Sequence, residues 1–134
     1  MRFAHVQRAF RDAGFAVPDS PFTIKDGSPA VGVFMVPGKD KTGNLEMLLS
    51  EVVFEAHPDF KPCLDAFSAC LRSTDGWDEN KKAKMWLNTA IAAYCDEDPS
   101  AALSRVWGKH GNPIPLGSPR FNELLDFFRS VSGR

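Results

Sequence analysis

Long apolar runs, a secretory leader and an excess of one charge are all missing from this 134-residue sequence. Its longest apolar run, from Ala30 to Pro37, is far shorter than the roughly 20 residues of a membrane-spanning helix, and the amino terminus has no signal-peptide h-region. Sixteen Lys and Arg residues face 17 Asp and Glu residues, so no global basic field collects phosphate groups. We therefore expect a cytoplasmic protein without a membrane segment. Nucleic-acid binding stays open but gains no support from the net charge.

The residue patterns of common metal and nucleophile sites are missing as well. No C-x-x-C, H-E-x-x-H or nucleophile elbow occurs, and the histidines are dispersed, so we expect no cofactor, no metal ion and no zinc or acid–base constellation. An odd number of cysteines argues against a disulfide framework. We predict that all three are reduced and structural, and that the two spaced by two helical turns are small buried side chains. The cysteines are Cys63, Cys70 and Cys95.

What is present is mostly helical periodicity, interrupted by one apolar run. The run at about 30–36 predicts a buried strand, with a weaker strand at 22–25 before the turn at 26–29. We expect one α/β domain over 1–134, a small sheet whose buried central strand is covered by about six helices. Predicted helices cover about 3–13, 44–56, 60–72, 79–94, 99–107 and the segment after Ser118-Pro119. Core positions predicted on the third, fourth and last of them include Phe67, Leu71, Trp86, Leu125 and Phe128.

The predicted sheet is too small to stand alone, because a strand that is apolar on both faces needs neighbours and cover. Either further strands exist, or a second chain supplies them, or the polypeptide is the later part of a larger fold. No proline or charge interrupts the run between Ala30 and Val36. Such an edge attracts another strand, so we expect a homo-oligomer or a partner protein at this edge.

Two segments carry candidate binding residues. The loop 37–44 joins the predicted strand to a helix, a geometry in which backbone N–H groups hold anions, and it contains Lys39 and Lys41. Asn44-Leu45 replaces the Lys-Ser/Thr of a P-loop, so a plain turn with solvated lysines is the alternative. Glu46 lies in the first turn of the following helix, where the helix dipole alone favours a carboxylate. Lys82 belongs to a lysine cluster near the start of another predicted helix. It is interpreted either as a phosphate contact or as part of a solvated helix face.

Several short segments together resemble a known family. They are Val31-Gly-Val-Phe-Met-Val-Pro37, Gly43-Asn-Leu-Glu46, Asn80-Lys-Lys-Ala-Lys84 and Ser118-Pro119-Arg-Phe121. They are similar to the later part of an uncharacterised family of bacterial and archaeal Toprim-related proteins, kin to the nuclease domain of overcoming-lysogenization-defect (OLD) proteins. The resemblance implies that Glu46 is an accessory acidic residue and that Lys82 lies near a phosphate.

The resemblance also indicates what the chain lacks. Toprim chemistry uses an early glutamate and a later D-x-D, and this sequence has neither; Pro37-Gly38-Lys39 also stands where the family commonly has Pro-Asp-Asn. We therefore expect no enzyme, but a non-catalytic Toprim-like domain that serves binding or assembly, linked to nucleic-acid metabolism or phage defence. One alternative is a metal-dependent nuclease or phosphotransfer subunit completed by another chain. The other is a helical interaction module, whose similarity to Toprim proteins is accidental.

Overall fold

The computed structural model describes residues 3–71 and 74–133, and in them the chain forms six α-helices and a two-stranded antiparallel sheet. The predicted mixed, mostly helical α/β content is confirmed. In the described residues no helix is both long and apolar enough to cross a bilayer. The elements are α1 (Phe3–Asp12), β1 (Ile24–Lys25), β2 (Val31–Gly32), α2 (Leu45–Ala56), α3 (Phe60–Leu71), α4 (Glu79–Tyr94), α5 (Leu103–Val106) and α6 (Asn122–Ser132).

Side-chain caps fix the starts of the two central helices. The Asn44 Oδ1 atom accepts a hydrogen bond from the Met47 N–H at 2.9 Å, and the Asp78 Oδ1 atom accepts one from the Lys81 N–H at 2.8 Å. Both satisfy backbone donors that a helix leaves unpaired in its first turn. As a result α4 covers its predicted range of 79–94, whereas the predicted end of α3 at residue 72 lies outside the described residues.

The chain forms two compact units, and the first combines residues 1–42 with residues 121–134. Its hairpin pairs β1 with β2 so that Ile24 lies opposite Gly32. A side chain at Gly32 has no room, because a Cβ atom there would lie 2.8 Å from the Phe127 ring of α6. The Phe34 ring lies 5.4 Å from the Phe127 ring and 5.2 Å from the Phe22 ring. Helix α6 thus covers the hairpin at Gly32 with the Phe127 ring and the Val131 side chain.

The apolar run at 30–36 is not the strand that its composition predicts. Only Val31 and Gly32 form β2; one further hydrogen bond joins the Phe22 N–H to the Val33 carbonyl oxygen, and a turn begins at residue 36. Packing explains why the run is apolar: Val31 and Val33 are buried, and the Phe34 ring packs against the Phe127 ring. The predicted self-association required a seven-residue strand edge. That strand was wrongly predicted, because β2 has an edge of two residues.

The second unit covers residues 43–120 and is built on the packing of α2 against α4. The Ser50 hydroxyl, although buried, donates to the Ala83 carbonyl oxygen at 3.2 Å and so stays hydrogen-bonded. The centres of the predicted core faces of both helices are buried, whereas Leu45 and Ala56 at the ends of the predicted α2 face are exposed. They bury Leu48, Leu49, Val52 and Val53 of α2 and Ala83, Leu87, Ala90 and Ile91 of α4.

Several side chains predicted to lie in the core are half-buried or exposed. Trp86 is half-buried at the side of the α4 stripe, with its ring 5.5 Å from that of Phe54. Helix α3 buries Phe60 and Leu64, but Phe67 and Leu71 are exposed by 49% and 43%. The apolar sector of α3 is wider than the part that packs, so half of it faces outward. On α6, Leu125 and Phe128 are exposed for the same reason.

Candidate functional site

The loop after the hairpin encloses an anion, and this anion is a carboxylate of the chain itself. The Lys39 backbone N–H donates to the Glu123 Oε1 atom at 2.6 Å, and the Lys41 Nζ atom lies 3.9 Å from the Glu123 Oε2 atom. Gly38 permits the approach with a φ of +149°. The Lys39 N–H and the Lys41 ammonium group thus face Glu123, which the sequence did not indicate, and a phosphate at these lysines would have to displace that carboxylate.

Glu46 shares a cavity with a lysine other than the predicted one. The Lys82 Nζ atom bonds the Glu79 Oε1 atom at 2.9 Å, one turn away on the same helix. Lys84 points to a different side of α4, because two residues turn a helix by about 200°. It lines the cavity, whose volume is about 240 Å³, with Glu46, Leu87, Asn88 and Leu103. The structure thus brings Glu46 together with Lys84 and assigns Lys82 to the polar helix surface.

The cavity offers one carboxylate, one ammonium group, one amide and two leucine side chains. In residues 3–71 and 74–133, no three His, Cys, Asp or Glu side chains are grouped so that they could hold a metal ion. A two-metal centre for phosphoryl chemistry needs several converging carboxylates. The lining therefore suits a small polar ligand, whereas Glu46 by itself does not make a catalytic metal site.

An arginine fork, missed by sequence reasoning, ties the Ser118-Pro119-Arg120 segment to α2. The Arg120 Nε atom donates to the Glu55 Oε1 atom at 2.7 Å, and its Nη1 atom donates to the Glu51 Oε2 atom at 2.6 Å. The hydrogen bond to Glu55 raises the pKa of Arg120. Two like charges four residues apart on a helix repel each other. Their spacing favours a nearby cation, and Arg120 has this structural role.

Two pairs of charged side chains join residues 96 and 97, just after α4, to residues 109 and 110. The His110 Nδ1 atom lies 3.0 Å from an Asp96 carboxylate oxygen, and the Lys109 Nζ atom donates to the Glu97 Oε1 atom at 2.7 Å. The His110 backbone N–H also donates to the Glu97 carboxylate at 3.0 Å. The side-chain hydrogen bond raises the pKa of His110 and lowers the pKa of Asp96 from their ordinary values of 6.5 and 3.8. Together these bonds make a surface clasp whose charge depends on pH.

We expect the imidazole of His110 to titrate with a midpoint above 6.5 in the native protein. The ring-proton chemical shift of His110, followed by NMR from pH 4 to pH 9, measures this midpoint. In Asp96→Asn the midpoint should fall, because the uncharged amide no longer favours the protonated ring. An unchanged midpoint in this variant would show that the clasp is open in solution.

The sign of the pH effect follows from both partners. The stability that His110 contributes is complete below its unfolded pKa and is lost as the pH rises through its higher folded pKa. The stability that Asp96 contributes is complete above its unfolded pKa and is lost as the pH falls through its lower folded pKa. The clasp is therefore strongest between the two ordinary values of 3.8 and 6.5. Both side chains are largely exposed to solvent, so the contribution of the clasp to stability is small.

The outward face of α3 is an exposed helix surface without charged residues. Cys63 and Cys70 lie on it and are exposed, so the prediction that they are buried was wrong, whereas Cys95 is buried. Lys61 and Asp65 lie beside the buried stripe and bond each other at 2.6 Å. The residues of this face, which we call the α3 face, are Pro62, Cys63, Ala66, Phe67, Ala69, Cys70 and Leu71, all exposed.

Comparison with protein-family models, curated proteins and solved structures finds no match to this chain. The likeness to the Toprim-related family rests on the short segments of the sequence that carry it. Of these, the 31–37 run forms the hairpin end and its following loop, and the 118–121 segment carries the arginine fork. Local geometry, and not a relative, must therefore support a function.

Proposed function

We propose that this chain is a non-catalytic module that acts by protein assembly, with the α3 face as its contact surface. The observation that carries the proposal is the exposure of seven neighbouring uncharged residues on one helix. Single exposed apolar residues are ordinary on protein surfaces, but a contiguous apolar patch marks an interaction site. Phe67 in its middle is the kind of aromatic side chain that dominates interface energies.

The wider setting belongs to the same proposal. The chain resembles the C-terminal part of a prokaryotic Toprim-like domain, and on that resemblance it serves nucleic-acid metabolism or phage defence. The exposed free thiols of Cys63 and Cys70 support a cytoplasmic location, because thiols stay reduced in the cytoplasm. A helical interaction module unrelated to Toprim proteins uses the α3 face in the same way.

One observation favours a second candidate, a nuclease or phosphotransfer subunit completed by another chain. Glu46 stands at the start of α2 and lines a cavity with Lys84, which places a carboxylate and an ammonium group around one space. A partner chain would have to supply the remaining carboxylates. The assembly function is the better supported of the two, because it needs only residues that this chain contains.

Protection of the α3 thiols inside cells tests the assembly function without knowledge of the partner. Maleimide labelling of Cys63 and Cys70 is measured by mass spectrometry in the dilute purified protein and in intact cells that produce it naturally. Ser104→Cys, introduced into the purified chain and at the natural chromosomal locus, places a reference thiol at an exposed position on α5. We expect the labelling rates of Cys63 and Cys70, relative to Cys at position 104, to fall severalfold in cells.

Ratios that are the same in cells and in the purified protein would overturn the proposal, because an occupied α3 face must shield its thiols. The reference thiol removes differences in reagent concentration between the two samples. Cys95 is buried and serves as a check that the fold is intact, since its labelling should stay slow in both.

A further inference from the structure

We propose that the cavity between α2, α4 and α5, with its unpaired Glu46 and Lys84, binds a free α-amino acid with an aliphatic side chain. This binding goes beyond the proposed assembly function and does not depend on the α3 face. The cavity lies entirely within the second unit, and its volume is about 240 Å³. Sites for drug-sized ligands measure roughly 300–1,000 Å³, so this cavity suits a smaller metabolite.

The polar side chains that line the cavity are not used by the fold. Among the residues that the structure describes, the side chains of Glu46, Lys84 and Asn88 form no hydrogen bond and no ion pair. Lys82, by contrast, bonds Glu79 one turn away on the same helix. Glu46, Lys84 and Asn88 therefore keep their hydrogen-bonding capacity for a ligand in the space that they share.

The two charges of the cavity have opposite signs and come from different helices. Glu46 is the second residue of α2 and is half-buried, whereas Lys84 lies on α4 and is exposed. They line one cavity but form no ion pair, so space remains between them. A zwitterion satisfies both charges. A phosphate or a dicarboxylate pairs with Lys84 alone and is repelled by Glu46.

The geometry of an α-amino acid fits between two such groups. Its ammonium and carboxylate groups are bonded to the same carbon atom, so the nitrogen lies about 3 Å from a carboxylate oxygen. With a charge-assisted hydrogen bond of about 2.8 Å at each end, the ligand spans up to about 8 Å from Glu46 to Lys84. Asn88 follows Lys84 by one turn on the same side of α4. Its amide has donors for the ligand carboxylate and an acceptor for the ammonium group.

The apolar part of the lining determines which side chain the amino acid carries. Leu87 lies beside Lys84 on α4 and is only 2% exposed, and Leu103, the first residue of α5, is half-buried. Among the described lining residues only Glu46 and Lys84 carry a charge. An aliphatic side chain gains by burying apolar surface against the two leucines, whereas a charged side chain finds no counter-charge there.

An NMR titration of the isotope-labelled full-length chain with L-leucine tests the proposal, observed at the Asn88 side-chain amide. Two truncated ligands serve as controls: 4-methylpentanoate is leucine without its ammonium group, and 3-methylbutylamine is leucine without its carboxylate. We expect L-leucine to bind with a dissociation constant on the order of 0.1–1 mM, as is usual for so small a ligand. Each truncated ligand should bind about tenfold more weakly, because one charge of the cavity then stays unpaired.

Two variants assign the contacts to individual side chains. Lys84→Gln should weaken L-leucine binding about tenfold without weakening that of 3-methylbutylamine, which has no carboxylate. Glu46→Gln should weaken L-leucine binding similarly without weakening that of 4-methylpentanoate, which has no ammonium group. Lys82→Gln is the matched control, since Lys82 has the same charge on the same helix but bonds Glu79, and it should bind L-leucine like the wild type. Thermal unfolding of each variant shows whether it is folded.

The wild-type protein alone can overturn the proposal. An Asn88 amide signal that L-leucine leaves unchanged up to about 20 mM would do so, and so would equal affinities for L-leucine and a truncated ligand. Tighter binding of inorganic phosphate at the same signal would also overturn it and would support the phosphotransfer candidate instead. Equal losses in Lys82→Gln and Lys84→Gln would place the ligand outside the cavity. None of these results bears on the α3 thiols, whose protection in cells tests the assembly function separately.

Discussion

Leu49→Ala is expected to lower the free energy of unfolding of the second unit by about 2–5 kcal/mol, the usual cost of truncating a fully buried leucine. Leu49 is 1% exposed and lies on the α2 face that packs against α4. The truncation removes three methyl or methylene-type carbons from a close-packed interior and leaves a cavity that the two helices close only partly. Urea unfolding measures the loss. All three tryptophans lie in the second unit, so their fluorescence reports on it.

The matched control is Leu45→Ala on the same helix, where the leucine is 43% exposed. Its effect should stay within about 1 kcal/mol, because little buried surface is lost and alanine favours the helix. Equal losses at the two positions would mean that the α2–α4 contact differs from the one described. A change in the slope of the urea dependence, and not in the midpoint alone, would instead indicate an altered unfolded state.

Gly38→Ala is expected to destabilise the first unit by about 1–3 kcal/mol, the usual cost of a residue held in a disfavoured backbone conformation. Gly38 has a φ of +149°, and a Cβ atom there would lie 2.6 Å from the Glu123 Oε2 atom. The loop must then shift away from the carboxylate that accepts the Lys39 N–H. Far-UV circular dichroism in urea measures stability, and hydrogen exchange of the Lys39 amide measures the loss of its bond.

Two further variants separate strain from the clash with Glu123. Gly117→Ala, in the second unit, is the control for the substitution itself: a Cβ atom there meets nothing within 4 Å and its φ is outside the positive range, so it should be nearly neutral. Introduced into Glu123→Ala, the Gly38→Ala change should cost less than in the wild type, because the oxygen that it meets is gone. Strictly additive losses would show that the carboxylate does not lie against Gly38.

The starts and lengths of the central helices could be predicted from the sequence because local chemistry decides them. Asn44 and Asp78 provide caps, and the apolar period of α2 and α4 matches the faces that these helices bury. The orientation of α3 could not be predicted in this way. Its apolar residues cover more of the helix than its neighbours cover, and only tertiary packing decides that Leu64 is buried while Phe67 is exposed.

The run at 30–36 shows the limit of apolar composition as a signal. A buried strand and a loop covered by aromatic rings demand the same apolar side chains, so Val33 and Phe34 fit both. The candidate site has a similar limit. The loop geometry predicts an anion at Lys39, but its identity depends on Glu123, which is 84 residues away in the sequence. Equally, spacing along α4 does not reveal that Lys84, and not Lys82, shares a cavity with Glu46.

Because the first unit consists of two separate segments, the two units must complete their folding at different times during translation. Its two parts, residues 1–42 and 121–134, are separated by the whole of the second unit, which is one continuous segment. During synthesis from the amino terminus, Gly32 has no cover until the ribosome has added Phe127 and Val131. The second unit is free to fold while translation continues. The hairpin must wait, with its valines and phenylalanines in water, until residues 121–134 leave the ribosome.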